Sequence, residues 1–361
     1  MSHSSTPGIA AAAGAIMPAD LTAFIEAAGM KAGLPADAAA MLAEPLTLAD
    51  MMGVHTHGTK LLPGYLRKVM AGGYRPQAVP RVVREGPAWA IVDGEASLGQ
   101  VGCTTAMRLA IAKAKQTGVA SVAIRNTGHI GAAGFYALLA ARQGCLGIVT
   151  GNDMPTVAAP GSRGPVLGSN PLAWSAARPG ADPLLFDIST AAVAGGKVYA
   201  ALARGEPIGP DWLIGQDGLP TTDGSLYPLK ASLAPMAGHK GYGFAILAEL
   251  LSGVLSGGSI VSHVGDWMRD PSDKPSRHTA GFVVLDLEAM CEPEAYAAAM
   301  NQLAREIHDA PTAAGIENVL LPGEREWGRH HAARVEGIVL PADVREKVAA
   351  AAALVGMQSP V

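Results

Sequence analysis

The stretch Val119–Asp153, VASVAIRNTGHIGAAGFYALLAARQGCLGIVTGND, decides how the chain is read. VASVAIRN is apolar and rich in β-branched residues, and it ends on Arg125-Asn126, which is a strand and its exit. A glycine-rich loop carrying His129 follows. GAAGFYALLAARQG then has helical spacing and stops at Gly144. LGIVTGND returns to strand texture and closes on Gly, Asn and Asp. Strand, loop, helix, strand is the grain of an α/β layer. His129 falls at the C-terminal edge of a sheet beside a helix N-terminus, a place suited to proton transfer. A loop histidine bonded to backbone fits the same residues.

Outward from this stretch, the runs AWAIVDG (88–94), LAWSAA (172–177), LLFDIST (184–190) and AGFVVLDL (280–287) read as further strands. GQVGCTTAMRLAIAKAKQTG (99–118) reads as a helix, and GFAILAELLSGVLSGG (243–258), interrupted by Glu249, as a buried core helix. Both ends of the chain are helical. PADLTAFIEAAGMKAG (18–33) has Pro and Asp at its start and Gly at its end. LPADAAAMLAEPLTLADMMG (34–53) is expected to kink or break at Pro45. THGTKLLPGYLRKVMAGG (56–73) is expected to be capped by Thr56, with His57 in its first turn and Gly72-Gly73 ending it. Helical patterns resume from Pro293. The expected architecture is a helical domain, residues 1–75 with 293–361, into which a mixed α/β domain, residues 76–292, is inserted.

Composition removes several classes of function. A chain of 361 residues with net charge −4, only 16% charged and with no basic block, lacks the clustered cations that nucleic-acid binding needs. No apolar run approaches the ~20 residues that cross a bilayer. The N-terminal MSHSSTPGIAAAAGAIM has no Lys or Arg before its apolar run, so a cytoplasmic protein with a mobile leader is expected rather than a secreted one. Cys103, Cys145 and Cys291 are far apart and form no CxxC, which fits buried thiols in a reducing compartment.

The motif record begins with absences: no G-x-G-x-x-G after a strand, no P-loop, no G-x-S-x-G and no H-E-x-x-H. VHTHGTK (54–60) sets His55 and His57 two residues apart. On a strand both rings would share a face and suit a metal, which would make the protein a metal-dependent hydrolase. At a junction of helices they diverge, and a surface or capping role fits as well. Gly238, Lys240 and Gly241 open a helix, an amide-rich place for phosphate and equally a plain cap. Gly323 and Glu324 open another, where an acidic residue also answers the helix dipole.

Seven segments in order, ADMMGVHTHG, RNTGHIGAAGFY, GND, LGSNPLAW, FDIST, GHKGYG and LPGERE, together make the chain resemble the malate/L-lactate dehydrogenase family. That family includes L-sulfolactate and ureidoglycolate dehydrogenases, diketogulonate reductase and Δ1-piperideine-2-carboxylate reductase. The likeness spans roughly Ala19 to Leu354. It implies a homodimer with a non-Rossmann cofactor domain that binds NAD or NADP. It also implies reversible hydride transfer to a small 2-oxo acid, a related carbonyl or a cyclic imine. On this alignment His57 and His129 are the two candidate acid/bases. His57 is favoured because Thr56 would fix its entry and the Asp187 carboxylate would orient its ring. Cofactor contacts fall on Asp187, Ser189, His239, Lys240, Gly323 and Glu324, with Asn170 nearby. Substrate contacts fall on Thr56, Lys60 and Leu61. Leu61 stands where the family has an Arg suited to gripping a carboxylate. Replacement donors in this sequence are Arg163, Arg204, His55 and Lys60; without one, a non-catalytic dinucleotide-binding protein also accounts for Leu61.

Overall fold

The computed structural model describes residues 14–361, so the expected leader lies almost wholly outside the described residues. The described chain forms two compact units, one from the residues up to Met70 together with Glu324–Val361, the other from Ala71–Gly323.

The first unit is helical. It contains α1 (Pro18–Lys31), α2 (Ala36–Met51), most of α3 (Leu62–Ala71), and, after the chain returns, α10 (Glu324–Glu336) and α11 (Ala342–Leu354). Helix α1 buries Leu21, Phe24, Ile25 and Ala28, the i, i+3, i+4, i+7 stripe of an amphipathic helix. Ile16 and Ile338 exchange backbone hydrogen bonds of 3.0 and 2.8 Å, tying the two ends of the chain within this unit. Pro45 does not break α2, which runs continuously across it. An interior proline costs roughly 3 kcal/mol. Burial of Leu42, Ala43, Leu46 and Leu48 around it offsets that cost.

The third helix starts later than the sequence indicates. Residues His55–His57 and Thr59–Leu61 form two short 3-10 turns, and α3 begins only at Leu62. Thr56 therefore caps no α-helix, and His57 is not in the first turn of one.

The second unit holds β1 (Arg81–Gly86), β2 (Trp89–Ser97), α4 (Gly99–Thr117), β3 (Val119–Thr127), α5 (Ala133–Ala141) and β4 (Cys145–Gly151). Next come β5 (Val157–Ala158), β6 (Pro165–Leu167), β7 (Leu172–Ala176), β8 (Leu184–Ile188), α6 (Gly195–Ala203), β9 (Leu213–Gly215), β10 (Pro220–Thr221) and β11 (Ala231–Leu233). The unit closes with α7 (His239–Glu249), β12 (His278–Asp286), α8 (Leu287–Met290) and α9 (Pro293–His308). Seven strands form one sheet in the order β1-β2-β3-β12-β4-β7-β8. Its neighbours are antiparallel except β2 and β3, which the α4 crossover makes parallel. β12, from late in the chain, is inserted between β3 and β4 and runs against both. A smaller sheet, β10-β9-β11-β5-β6, covers its own core of Val157, Val198, Leu213 and Leu233.

Two expectations change here. The second unit ends at Gly323, not near 292, because α9 lays Met300, Ala304 and Ile307 on Trp174 of β7 and Leu184 of β8. The α7 segment is not buried all round. Small residues Gly241, Ala245, Ala248, Ser252 and Gly253 form its inner face, as a close approach to a sheet demands. The large ones point outward, from Leu247 at 42% exposed to Leu255 at 59%. Cys103 and Cys145 are buried as expected, whereas Cys291 is exposed.

Candidate active site

In the helical unit the His55/His57 segment is organised by Asp50, a buried carboxylate at the end of α2. Its Oδ2 accepts from the Thr59 amide at 2.8 Å and the Thr59 hydroxyl at 2.6 Å, and its Oδ1 lies 2.9 Å from His55 Nδ1. These bonds fold residues 55–61 into the 3-10 turns instead of a helix. They also commit His55 Nδ1, and His57 Nδ1 lies 3.1 Å from the Thr56 hydroxyl. Among the described residues no group of three or more His, Cys, Asp or Glu is placed to hold a metal ion. Lys60 pairs with Asp343 at 2.6 Å and Leu61 is half-buried in the second turn. The other donors named in place of the missing Arg are likewise engaged: His55 with Asp50, Arg204 with Glu206, Arg163 with the Gln216 carbonyl.

In the α/β unit, β3 ends at a fixed exit. Asp93 on β2 accepts from Arg125 Nε at 3.2 Å and from Asn126 Nδ2 at 3.1 Å, and Asn126 takes a left-handed φ of 53°. The chain then delivers His129. Its ring stacks on buried Trp267 with centroids 4.5 Å apart and 12° between planes. The ring of His278, fully buried at the start of β12, meets it edge-on at 5.6 Å and 79°.

A polar chain surrounds this pair. The His129 amide donates to the Tyr74 hydroxyl at 3.1 Å, and Tyr74 lies 3.1 Å from the Ser276 hydroxyl. Ser276 lies 2.9 Å from His278 Nδ1, and His278 Nε2 lies 3.2 Å from Asp153 Oδ1. Burial works against the charge on Asp153. The His278 hydrogen bond, the electrostatic attraction of His278 and His129, and the Met154 amide outweigh it and hold the carboxyl below its ordinary value. Burial pushes the Tyr74 hydroxyl up to about 12, so it serves as a hydrogen-bonding group and not as an ion.

The expected cofactor residues divide into exposed and structural. Ala237 and Gly238 both have positive φ, 48° and 63°, and lead into an exposed α7 N-terminus. The Lys240 ammonium has no ion pair or hydrogen bond among the described residues, and a Cβ at Gly238 would meet nothing within 4 Å. Open space at Gly238, an exposed helix start and a lone cation fit a dinucleotide phosphate. His239 shares this exposed start. Ser189 donates to the Ser169 carbonyl at 3.2 Å and accepts from the Ala191 amide. Asp187, exposed on β8, accepts from the Gly134 amide at 2.7 Å and so caps the first turn of α5. Asn170 is fully buried and takes no external contact. Its Oδ1 accepts from the Asp153 amide, and its Nδ2 donates to the Ala245 carbonyl and to Glu249. Gly323 (φ 94°) packs where a Cβ would press on the Leu185 backbone, so its glycine is set by close approach to β8. Glu324 is the first residue of α10.

Sequence reasoning passed over Asp50, Tyr74, Asp153, Trp267, Ser276 and His278. Asp50 and Asp153 lie inside quoted motifs, ADMMG and GND, without an assigned role. Trp267, Ser276 and His278 carry no local signal. Ser276 and His278 arrive beside His129 because β12 pairs with β3 in a register that sets His278 opposite Thr127.

Residues 16–349 match the family described as malate/L-lactate dehydrogenase. The malate dehydrogenase of Pyrococcus horikoshii is 37% identical over 313 residues, covering 84% of this chain and 85% of that protein. Its solved structure has a TM-score of 0.86 at 33% identity and covers 96% of each chain. The ureidoglycolate dehydrogenase (NAD(+)) of Escherichia coli K12 is 34% identical over 87% of this chain and 89% of its own. The solved Δ1-piperideine-2-carboxylate reductase of Pseudomonas syringae has a TM-score of 0.82 at 30% identity, over 92% of this chain and 98% of that one.

Proposed function

The chain belongs to the malate/L-lactate dehydrogenase family and is an oxidoreductase, and from that premise we propose that it moves hydride reversibly between NAD or NADP and a small 2-hydroxy/2-oxo acid or its cyclic-imine counterpart. Nicotinamide, when bound, supplies or takes the hydride. His129 gives the proton to the developing oxyanion or imine nitrogen and recovers it in the reverse direction. The observation that carries this assignment is the setting of His129, with its ring face on Trp267 and its edge against His278, whose Nε2 lies 3.2 Å from the Asp153 carboxylate. His57, bonded to Thr56, serves as a substrate-side residue with Thr56 and Leu61. A substrate wall at Leu61 favours an acid with an apolar or uncharged group there.

His239 and Lys240 at the α7 start take the phosphates, and Asp187, Ser189, Gly323 and Glu324 take the rest of the dinucleotide. Residues 71–323 form the non-Rossmann cofactor domain, inserted into the helical one. Support comes from a large sheet with one parallel pair, unlike a doubly wound parallel sheet. A homodimer is supported by the outward apolar residues of α7. A cytoplasmic location is supported by three free thiols; no helix among the described residues is long and apolar enough to cross a membrane.

The test is a screen of 2-oxo acids and cyclic imines with NADH and NADPH, then histidine variants on the best substrate. His129→Gln should lower kcat by ~10²-fold or more while retaining cofactor binding. His57→Gln should chiefly raise KM. The opposite pattern would transfer the acid/base role to His57, and normal kcat in both would remove it from either.

A further inference from the structure

The chain from His129 to Asp153 has hydrogen-bond directions that follow from chemistry. An ionised carboxylate only accepts, so His278 Nε2–H donates to Asp153. With the His278 ring proton on Nε2, Nδ1 accepts from the Ser276 hydroxyl. Ser276 Oγ accepts in turn from the Tyr74 hydroxyl, and the Tyr74 oxygen accepts the His129 amide proton. Each hydroxyl proton in the chain is used once, and all point toward Asp153. Reversing the Ser276 hydroxyl would set the Tyr74 hydroxyl proton against another donor in a buried place, a costly arrangement.

Ser276, His278 and Asp153 are the residue types of a hydrolytic triad. Ser276, however, is buried, with Tyr74 already on its oxygen, so no electrophile can reach it and it is not a nucleophile. What the chain does instead is hold two things at once. One is the backbone at His129; the other is the carboxylate whose charge is felt by the His129 ring.

Resting on the reading of His129 as the acid/base, we propose that His278 is a positioning residue that fixes the Asp153 carboxylate and, through Ser276 and Tyr74, the loop of His129, and thereby sets the pH range over which His129 exchanges its proton. The ionisable groups that interact with Asp153 are His278, His129, Tyr74 and Tyr227. Tyr227 is held above its ordinary value by burial first and then by Tyr199, with Arg269 opposing and Asp153 adding to the rise. Both tyrosines are neutral in the working range, so the Asp153 carboxylate is the negative charge of this cluster. An opposite charge favours the protonated imidazole. Releasing Asp153 therefore lowers the pH at which His129 loses its proton, and the alkaline limb of the reductive kcat/KM profile moves to lower pH.

The experiment compares that profile, kcat, and NAD(P)H Kd in wild type, His278→Leu, His278→Gln and Ser276→Ala. His278→Leu should move the alkaline limb down by ~1 pH unit and lower kcat with cofactor Kd unchanged. His278→Gln, whose amide can donate to Asp153 and accept from Ser276, should restore most of the shift. Ser276→Ala should shift the limb less, in the same direction, and it carries the test alone if His278→Leu does not fold. An unmoved limb in folded His278→Leu, or in Ser276→Ala where that variant must stand in, overturns the proposal. His129→Gln separates the two readings. If its kcat collapses while the limb stays fixed in the other variants, this inference alone fails; if its kcat is normal, the acid/base reading fails first.

Discussion

At the scale of single residues, the Asp50 carboxylate explains more of the HTHG segment than the histidines do. It gathers His55 Nδ1, the Thr59 amide and the Thr59 hydroxyl within 2.9 Å, and a Cβ on Gly58 would overlap it. Gly58 is therefore required by a carboxylate eight residues upstream, whose oxygens leave no room for a Cβ. Gly58→Ala should displace Asp50, strand part of a buried charge and lower stability by ~2–4 kcal/mol, read as a drop in Tm. A Tm equal to wild type would mean that the turn yields without losing the Asp50 bonds. Asn170 teaches the same lesson in the other unit. Its type and place match a ligand contact, but every polar group of its side chain is spent on Asp153, α7 and Glu249.

Among the elements, α7 carries the clearest division of labour. Its small inner face seats it on the sheet, its start is exposed with Lys240 unpaired among the described residues, and its outer face is apolar. A Lys240 that holds a cofactor phosphate contributes to the ground state and the transition state alike, so in this proposed role its loss should appear in binding and not in chemistry. Lys240→Ala should weaken NAD(P)H Kd by ~10-fold, the low end for an exposed charge-assisted contact, with kcat at saturating cofactor nearly unchanged. Fluorescence titration reads the first quantity and steady-state rates the second; an unchanged Kd would remove Lys240 from the cofactor site. Helix periodicity located α7, but it could not tell which face is inner. Apolar residues lie on both faces, and the inner one is marked by small residues together with the buried Glu249. Pro45 misled for a related reason, because local cost was visible in the sequence while the burial that offsets it was not.

For the whole molecule, the outward side chains of α7 and the turn after it, Phe244, Leu247, Leu250 and Val254, are the feature a homodimer would bury. Leu247→Glu with Val254→Glu should convert a dimer to a monomer in light scattering while leaving the fold's circular dichroism intact. A wild-type protein that is already monomeric would sink the dimer. The sequence by itself determined the family, the strands of the large sheet with a contiguous pattern, the helical ends, and the places of the His129 loop and the Lys240 turn. These are properties of short windows, where periodicity, caps and glycines report local conformation directly. Only the tertiary structure decided that β12 enters between β3 and β4, that α9 packs on β7 and β8, and that the Asp153 carboxylate meets His278 beside His129. Strand order and register depend on long-range pairing and on which apolar faces find each other. Residues 125 positions apart, such as Asp153 and His278, carry no mark of their meeting until the sheet is closed.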